Sequence, residues 1–131
     1  MNQEYASLQE FIRVLTSLTD VTRLRLLRLL LGHEELCVCE LVDALQIPQY
    51  KVSRHLRGLR TVGLVEARRS GRWMHYRIAG PARSKRFHKD LLQLLGKYLD
   101  GIPESKRDDT CLSRRLAMRR SGECVVGRAE R

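Results

Sequence analysis

The chain has 131 residues, with 25 Lys or Arg, 15 Asp or Glu and a formal net charge of +10. This length fits one domain, and no apolar run approaches the roughly 18 residues of a membrane span. The N-terminus lacks the basic and apolar regions of a signal peptide. We therefore expect a cytoplasmic protein with no membrane partner, whose four cysteines are reduced thiols.

The positive charge is concentrated in one segment. Residues 51–86 contain eleven Lys or Arg and a single acid, Glu66, whereas basic and acidic residues cancel in the rest of the chain. A basic excess confined to one segment is typical of a protein that binds a polyanion. Catalysis is not expected, because the sequence has no phosphate-cradling glycine loop, nucleophile elbow or metalloprotease motif. Nucleic acid is the predicted partner.

Hydrophobic periodicity predicts five helices and one hairpin. The helices run from about Glu4 to Leu18, Val21 to Leu31, Val38 to Leu45, Pro48 to near Gly63, and Arg83 to Leu99. Strand-like runs from Leu64 to Arg69 and from Arg72 to Ile78 are joined at Ser70 and Gly71. Residues 1–103 form the predicted domain, which Pro103 closes. Residues 104–131 form a polar tail that contains two cysteines and one short helix around Leu112 to Arg120.

This order of elements predicts a mostly α protein with a small β-hairpin, a winged helix–turn–helix. In such a fold the second helix of the turn motif enters the major groove of double-stranded DNA. If Val52 faces the core, the 100° step places Tyr50, Ser53, Arg54 and Arg57 on the exposed face. The alternative is a generic amphipathic helix with a solvated basic face.

The residue types on this helix suit different contacts with DNA. Gln49 suits adenine edges and Arg54 suits guanine, whereas Lys51 and Ser53 suit phosphates. His55 lies beside the buried stripe, so a structural role and a phosphate contact are both open. At the hairpin tip, Arg68, Arg69 and Arg72 are predicted to reach a neighbouring minor groove or the backbone.

Several short motifs resemble the ArsR/SmtB family of metal-sensing repressors. They are DVTRLRLL from Asp20, ELCVCEL from Glu35, KVSRHL from Lys51 and GLV from Gly63. The second motif resembles the arsenic-responsive branch of the family, and the similarity covers roughly residues 8–99. The resemblance implies a homodimer, joined through the first and last helices, that occupies operator DNA until an inducer binds.

Cys37 and Cys39 are the predicted core of a sensing site. On the third helix they lie about 100° to either side of Val38, the centre of the buried stripe, which disfavours two core-filling thiols. Residues i and i+2 do not face each other on a regular helix. We therefore expect the two thiolates to share an ion only if the start of this helix unwinds.

The ligand set favours a soft ion. Thiolates suit As(III) or Sb(III), or cadmium and lead, better than zinc. The resemblance also suggests a zinc site on the fifth helix, but His88, Asp90 and Asp100 do not supply the two histidines of that site. Zinc is therefore not expected.

Arsenite takes three sulfurs, and one is missing from the motif. The best-known arsenic repressors of this type carry a third cysteine where this chain has Val42. Cys111 or Cys124 would have to complete the site, from the same or the partner subunit. Cys111 precedes the short predicted helix, whose N-terminus would lower the pKa of its thiol. The alternative for each is an unliganded surface thiol.

The sequence thus predicts a transcriptional repressor that leaves operator DNA when As(III) or Sb(III) binds its thiolates. Three alternatives stay open. A thiol-redox switch would form a disulfide to a tail cysteine, because a bridge between Cys37 and Cys39 is strained. A repressor of the same fold could respond to cadmium or lead. A DNA-binding protein without a small-molecule input is the third.

Overall fold

The computed structural model describes residues 7–80, 85–120, 122 and 124. Over these residues the chain forms a winged helix–turn–helix, as predicted. The helices are α1 (Leu8–Ser17), α2 (Val21–Leu31), α3 (Val38–Leu45), α4 (Gln49–Thr61), α5 (Arg86–Leu99) and α6 (Pro103–Leu116). The strands are β1 (Leu36–Cys37), β2 (Val65–Ser70) and β3 (Trp73–Ile78). Within the described ranges, no helix combines the length and apolar character needed to cross a bilayer.

Helices α2, α3 and α4 enclose the core. Asp20 begins α2, since its Oδ1 accepts a hydrogen bond from the amide of Arg23 at 3.1 Å. Val52, Leu56 and Leu59 are the buried residues of α4, as the periodicity predicted. The largest fully buried apolar side chains include Leu26, Leu27, Leu29, Leu30, Leu36, Leu41, Leu56, Leu59, Leu64 and Ile78.

A tight turn fixes α3 against α4. Gln46 adopts the left-handed region, with φ 59°, and its Nε2 donates to the carbonyl of Asp43 at 2.7 Å. Pro48 is the N-cap of α4 rather than its first residue. Only residues 46–48 separate the two helices of the turn motif. A displacement of α3 would therefore be passed on to α4.

The wing is the predicted hairpin with one additional strand. β2 and β3 pair antiparallel, and Gly71 in the turn has φ 60°. Strand β1 pairs with the other edge of β3, which places Cys37 opposite His75. The sequence did not predict β1, because a two-residue strand has no detectable alternation of polar and apolar residues.

Helix α6 is the main departure from the prediction. The expected helix was a short one around Leu112 to Arg120, but α6 begins at Pro103. Proline is tolerated at the first position of a helix, where its missing N–H has no intrahelical partner. The buried residues of α6 are largely polar or charged, so hydrophobic periodicity could not reveal it. They are Ser105, Asp108, Leu112 and Arg115.

Ion pairs join α6 to α2. The Asp108 carboxylate accepts two hydrogen bonds from the Arg25 guanidinium, at 2.7 and 2.9 Å. Arg28 pairs with Asp109 and, at 3.1 Å, with Asp100. Helix α6 therefore packs against the helix–turn–helix.

Parts of the predicted first and fifth helices lie outside the described residues. The stretch from Glu4 belongs to residues 1–6 and the stretch from Arg83 to residues 81–84. The described part of the first helix begins at Leu8, where the Ser7 side chain accepts a hydrogen bond from the Glu10 amide at 3.1 Å.

Candidate nucleic-acid interface and thiol site

Helix α4 presents a polar face opposite its buried stripe. The side chains of Gln49, Tyr50, Lys51, Arg54 and Arg57 are exposed, and Ser53 is half-buried. The expected orientation of this face is confirmed, whereas the contact of each residue with DNA stays a prediction.

His55 and Arg23 tie α4 to α2. The Arg23 Nε donates to His55 Nδ1 at 3.1 Å, and its Nη1 donates to the carbonyl of Ser17 at 3.3 Å. Burial lowers the pKa of His55, and the charge of Arg23 lowers it further despite the opposing effect of Asp20. Gly58 leaves room for this arginine, because a Cβ there would lie 2.7 Å from Arg23 Nη2. These contacts favour the structural alternative for His55.

The three arginines predicted to contact DNA from the wing, Arg68, Arg69 and Arg72, are exposed. Arg68 donates to the Glu35 carboxylate at 2.6 and 3.1 Å. The Arg72 guanidinium lies 4.6 Å from the ring centroid of Trp73, a cation–π contact that extends the guanidinium along the hairpin. Arg69 lies between them in sequence, on β2 opposite Met74. The basic tip of the wing is therefore oriented by local contacts.

The position of Cys37 corrects the sequence prediction. Cys37 is not on α3: it ends strand β1, acts as the N-cap residue of α3 with φ −76° and ψ 150°, and is fully buried. Cys39 lies in the first turn of α3 and is partly exposed. Pairing with His75 holds Cys37 in an extended conformation just ahead of α3. The two cysteines therefore do not occupy positions i and i+2 of one helix, and the rule that such positions face apart does not apply to this pair.

The environment keeps Cys37 protonated. The hydrogen bond to Cys39 and burial raise the pKa of Cys37, and negative charge on Cys39 and Cys124 raises it further. Cys37 is therefore the thiol donor of the pair, and the more accessible Cys39 is its partner.

Cys37, Cys39 and helix α4 line one cleft. This cleft has a volume of about 270 Å³ and is here called the thiol cleft. Its walls are formed by Cys37, Val38, Cys39, Gln49, Ser53, Arg57, Arg60, Arg72, Trp73, Met74 and Tyr76. Four of these residues were predicted to contact DNA. A group bound at the thiols would therefore lie beside α4 and the wing.

Sequence reasoning missed a buried carboxylate behind the thiols. Glu40 is fully buried, and its Oε1 accepts a hydrogen bond from the Cys37 amide at 2.9 Å. The same carboxylate pairs with Arg119, at 2.6 and 2.7 Å. The signal available in the sequence was the acid three residues after an N-cap position, which is typical of a capping box.

The two cysteines of the predicted tail occupy different environments. Cys111 lies within α6, not ahead of a helix as predicted. Cys124 is buried, with 4% of its surface exposed, and Arg115 Nη2 donates to its Sγ at 3.5 Å. Among the described residues, no three His, Cys, Asp or Glu side chains are grouped closely enough to hold a metal ion.

The chain matches known regulators in sequence. Residues 20–67 match the model described as bacterial regulatory protein, arsR family. The arsenic resistance transcriptional regulator ArsR1 of Pseudomonas putida is 37% identical over 95 residues, which cover 72% of this chain and 67% of that protein. The arsenical resistance operon repressor of Escherichia coli is 47% identical over 68 residues, 52% of this chain and 58% of that protein. The chain thus spans between about half and two thirds of these relatives.

Solved structures share the fold. The homodimeric winged helix–turn–helix DNA-binding domain of a possible ArsR-family regulator from Mycobacterium bovis has a TM-score of 0.60 and 32% identity. The matched region covers 76% of this chain and 87% of the Mycobacterium bovis chain. HlyU from Vibrio cholerae has a TM-score of 0.60 and 29% identity, covering 70% of this chain and 94% of that one. The chain belongs to the ArsR family of bacterial regulatory proteins, which are DNA-binding transcriptional regulators and not enzymes.

Proposed function

We propose that the protein represses transcription as a homodimer on operator DNA and is released when As(III) or Sb(III) binds Cys37 and Cys39. One observation carries the proposal: Cys37 and Cys39 line the same cleft as α4 and the wing. The names of the Pseudomonas putida and Escherichia coli relatives, both concerned with arsenic resistance, support this class of inducer.

The proposed DNA-binding surface consists of the exposed face of α4 and the wing tip. Gln49 and Arg54 are assigned to base edges, and Tyr50, Lys51, Ser53 and Arg57 to the groove wall and phosphates. Arg68, Arg69 and Arg72 are assigned to the neighbouring minor groove or backbone. The exposure of this face and the positive charge of residues 51–86 support the assignment.

The proposed dimer interface lies on α1 and α5. These helices contact each other through Phe11 and Phe87, whose ring centroids are 4.2 Å apart. Both leave large apolar side chains in solvent, which favours association with a second copy. They are Leu8, Ile12, Leu15, Leu94 and Tyr98. The structure from Mycobacterium bovis is described as homodimeric, which supports association of this chain with a second copy.

Inducer binding would act on α4 through α3. A group bound to Cys37 and Cys39 replaces their mutual hydrogen bond and must displace the start of α3 or the wall of the thiol cleft. Because the short turn at Gln46 joins α3 to α4, displacing α3 also moves α4. The arrangement of α4 that binds DNA then becomes less favourable. A coupling free energy of about 3 kcal/mol weakens DNA binding on the order of 100-fold.

The test is an arsenite titration of the operator complex under full reduction, followed by fluorescence anisotropy. Wild-type protein should dissociate, whereas Cys37→Ser and Cys39→Ser should bind operator normally and resist release. Thr110→Ala, at an exposed position of α6, is the control that retains both thiols and the walls of the thiol cleft. Release of the double Cys→Ser variant by arsenite would place the inducer site elsewhere.

The same titration separates the alternatives. Cadmium or lead acting at lower concentration than arsenite would indicate a divalent-ion repressor. Release by peroxide, reversed by dithiothreitol, would indicate a redox switch. No response to any of them would leave a DNA-binding protein without thiol input.

A further inference from the structure

We propose that Cys124 supplies the third sulfur of the inducer site, from the same subunit as Cys37 and Cys39, and that Cys111 does not. This assignment rests on the proposed function of the Cys37–Cys39 pair. It names the missing ligand of a site for a trivalent, thiophilic metalloid.

The first argument is the direction of α6 relative to α3. Arg25 links Asp108 to the Leu45 carbonyl at the end of α3, with distances of 2.7 and 3.1 Å. Arg115 lies 2.8 Å from Asp43, and Arg119 pairs with Glu40 in the first turn. The segment from Asp108 to Arg119 therefore starts beside the C-terminal end of α3 and finishes beside its first turn, so the two run antiparallel.

This direction separates the two candidate cysteines. Cys111 lies between Asp108 and Arg115, level with the C-terminal half of α3, where its charge acts on Arg25. Cys39 and Leu45 are six residues apart, which corresponds to about 9 Å along a helix. Cys124 lines a cleft with Glu35 and Arg119, and Arg119 pairs with Glu40 in the first turn of α3, so Cys124 lies near the end of α3 that carries the thiols.

The second argument is a polar cleft beside Cys37. It has a volume of about 270 Å³, and its walls include Glu35, His75, Arg119 and Cys124. Glu35 precedes Cys37 by two residues, and His75 is its cross-strand partner. Cys124 therefore lines the same cleft as two residues near Cys37, one in sequence and one in strand register.

The basic residues around Cys124 suit a ligand thiol. Arg115 donates to its Sγ at 3.5 Å, and Arg119 is within electrostatic range of both Cys124 and Cys37. A buried thiol in contact with a guanidinium differs from the unliganded surface thiol that was the alternative for this residue.

Inducer binding must bring the sulfur of Cys124 together with those of Cys37 and Cys39. Because the described residues include no three donors already grouped around one point, Cys124 has to shift toward the thiol pair. Arsenous acid then exchanges three As–O bonds for three As–S bonds, and each thiol proton leaves with a hydroxide as water. Arsenic stays trivalent throughout, so no oxidant or reductant is required. The shift strains the Arg119–Glu40 contact and so adds to the displacement of α3.

The experiment compares full-length Cys124→Ser and Cys111→Ser with wild type, each reduced and loaded with arsenite. Arsenic K-edge absorption should count three sulfur neighbours in wild type and Cys111→Ser, but two sulfurs and one oxygen in Cys124→Ser. Operator release by Cys124→Ser should need at least tenfold more arsenite. Cys124→Ala provides a second variant if the hydroxyl disturbs folding, and operator affinity without arsenite checks that each variant is folded.

Mixed dimers test whether the site is formed within one subunit. Subunits carrying Cys37→Ser and Cys39→Ser are combined with subunits carrying Cys124→Ser. If all three cysteines of a site come from one subunit, no site in the mixed dimer has three sulfurs. If Cys124 comes from the partner subunit, one of the two sites in each mixed dimer has all three. Restoration would overturn the assignment to one subunit.

Failure of this inference is distinguishable from failure of the proposed function. Three sulfurs in Cys124→Ser, or two in wild type, overturns the role of Cys124 while leaving Cys37 and Cys39 as the inducer site. Arsenite binding that is unaffected by Cys37→Ser and Cys39→Ser overturns the proposed function itself.

Discussion

Arg119, beyond the end of α6, and Glu40, in the first turn of α3, form an ion pair through contacts of 2.6 and 2.7 Å. The Glu40 side chain is fully buried and that of Arg119 is 25% exposed. The same carboxylate accepts the hydrogen bond of the Cys37 amide. The buried Glu40 carboxylate thus connects Arg119 with Cys37, the N-cap residue of α3.

Removing this arginine should destabilise the fold. Arg119→Ala leaves the Glu40 carboxylate buried without its cation, and breaking such a pair costs about 3 kcal/mol. Urea denaturation at pH 7 measures the change in unfolding free energy. Arg120→Ala, the exposed neighbour, is the control and should change it by less than about 0.5 kcal/mol. Adding Glu40→Gln to Arg119→Ala should recover part of the loss; no recovery would mean that the pair is not the cause.

Arg54→Ala should weaken specific operator binding by about 1–3 kcal/mol and relax the sequence preference at one position. The reason is its exposed place on the DNA-facing side of α4. Competition binding with operator and scrambled DNA at fixed salt measures both effects. Lys106→Ala, which removes the same charge from α6, is the control. Equal weakening on both DNAs would make Arg54 a phosphate contact.

Leu94→Glu should convert the dimer into a monomer, because it places a charge in the apolar face shared by α1 and α5. Sedimentation velocity at micromolar protein measures the association state, and operator affinity should fall with it. Gln93→Glu adds the same charge to an exposed polar position about 100° around α5 from Leu94 and should stay dimeric. A dimeric Leu94→Glu variant would move the interface to another surface.

The stability of the fold should decrease as the pH falls below about 6.5. Burial lowers the pKa of His88 from its ordinary value of 6.5, and the nearby Lys85 lowers it further. Between the folded and unfolded pKa values, the unfolded chain binds more protons, so acidification favours unfolding. Burial also lowers the pKa of His33 and His55, so the three effects add.

Denaturation measured from pH 7.5 to 5.5 checks this dependence. His88→Asn, which cannot gain a proton, should show a shallower loss of stability over the same range. Glu35 titrates at lower pH, because its hydrogen bond with Arg68 lowers its pKa, so its contribution falls outside this window. An identical pH dependence in wild type and variant would exclude His88 as a cause.

Much of the fold follows from local sequence patterns. The stripe of Val52, Leu56 and Leu59 and the alternation around Gly71 arise from the periods of a helix and a strand, which a sequence displays directly. Asp20 begins α2 through a contact only three residues away. These features needed no knowledge of distant residues, and the structure confirmed them.

The candidate site depended on contacts between distant parts of the chain. Cys37 leaves the helix because it pairs with His75, and α6 is held by ion pairs such as Arg25–Asp108, which join residues 83 positions apart. No local period encodes either contact. The sequence by itself determined a winged helix–turn–helix with a thiol pair ahead of α4. Only the tertiary structure decided that both thiols line one cleft with α4 and the wing, and that Cys124, rather than Cys111, lines a cleft with the neighbours of Cys37.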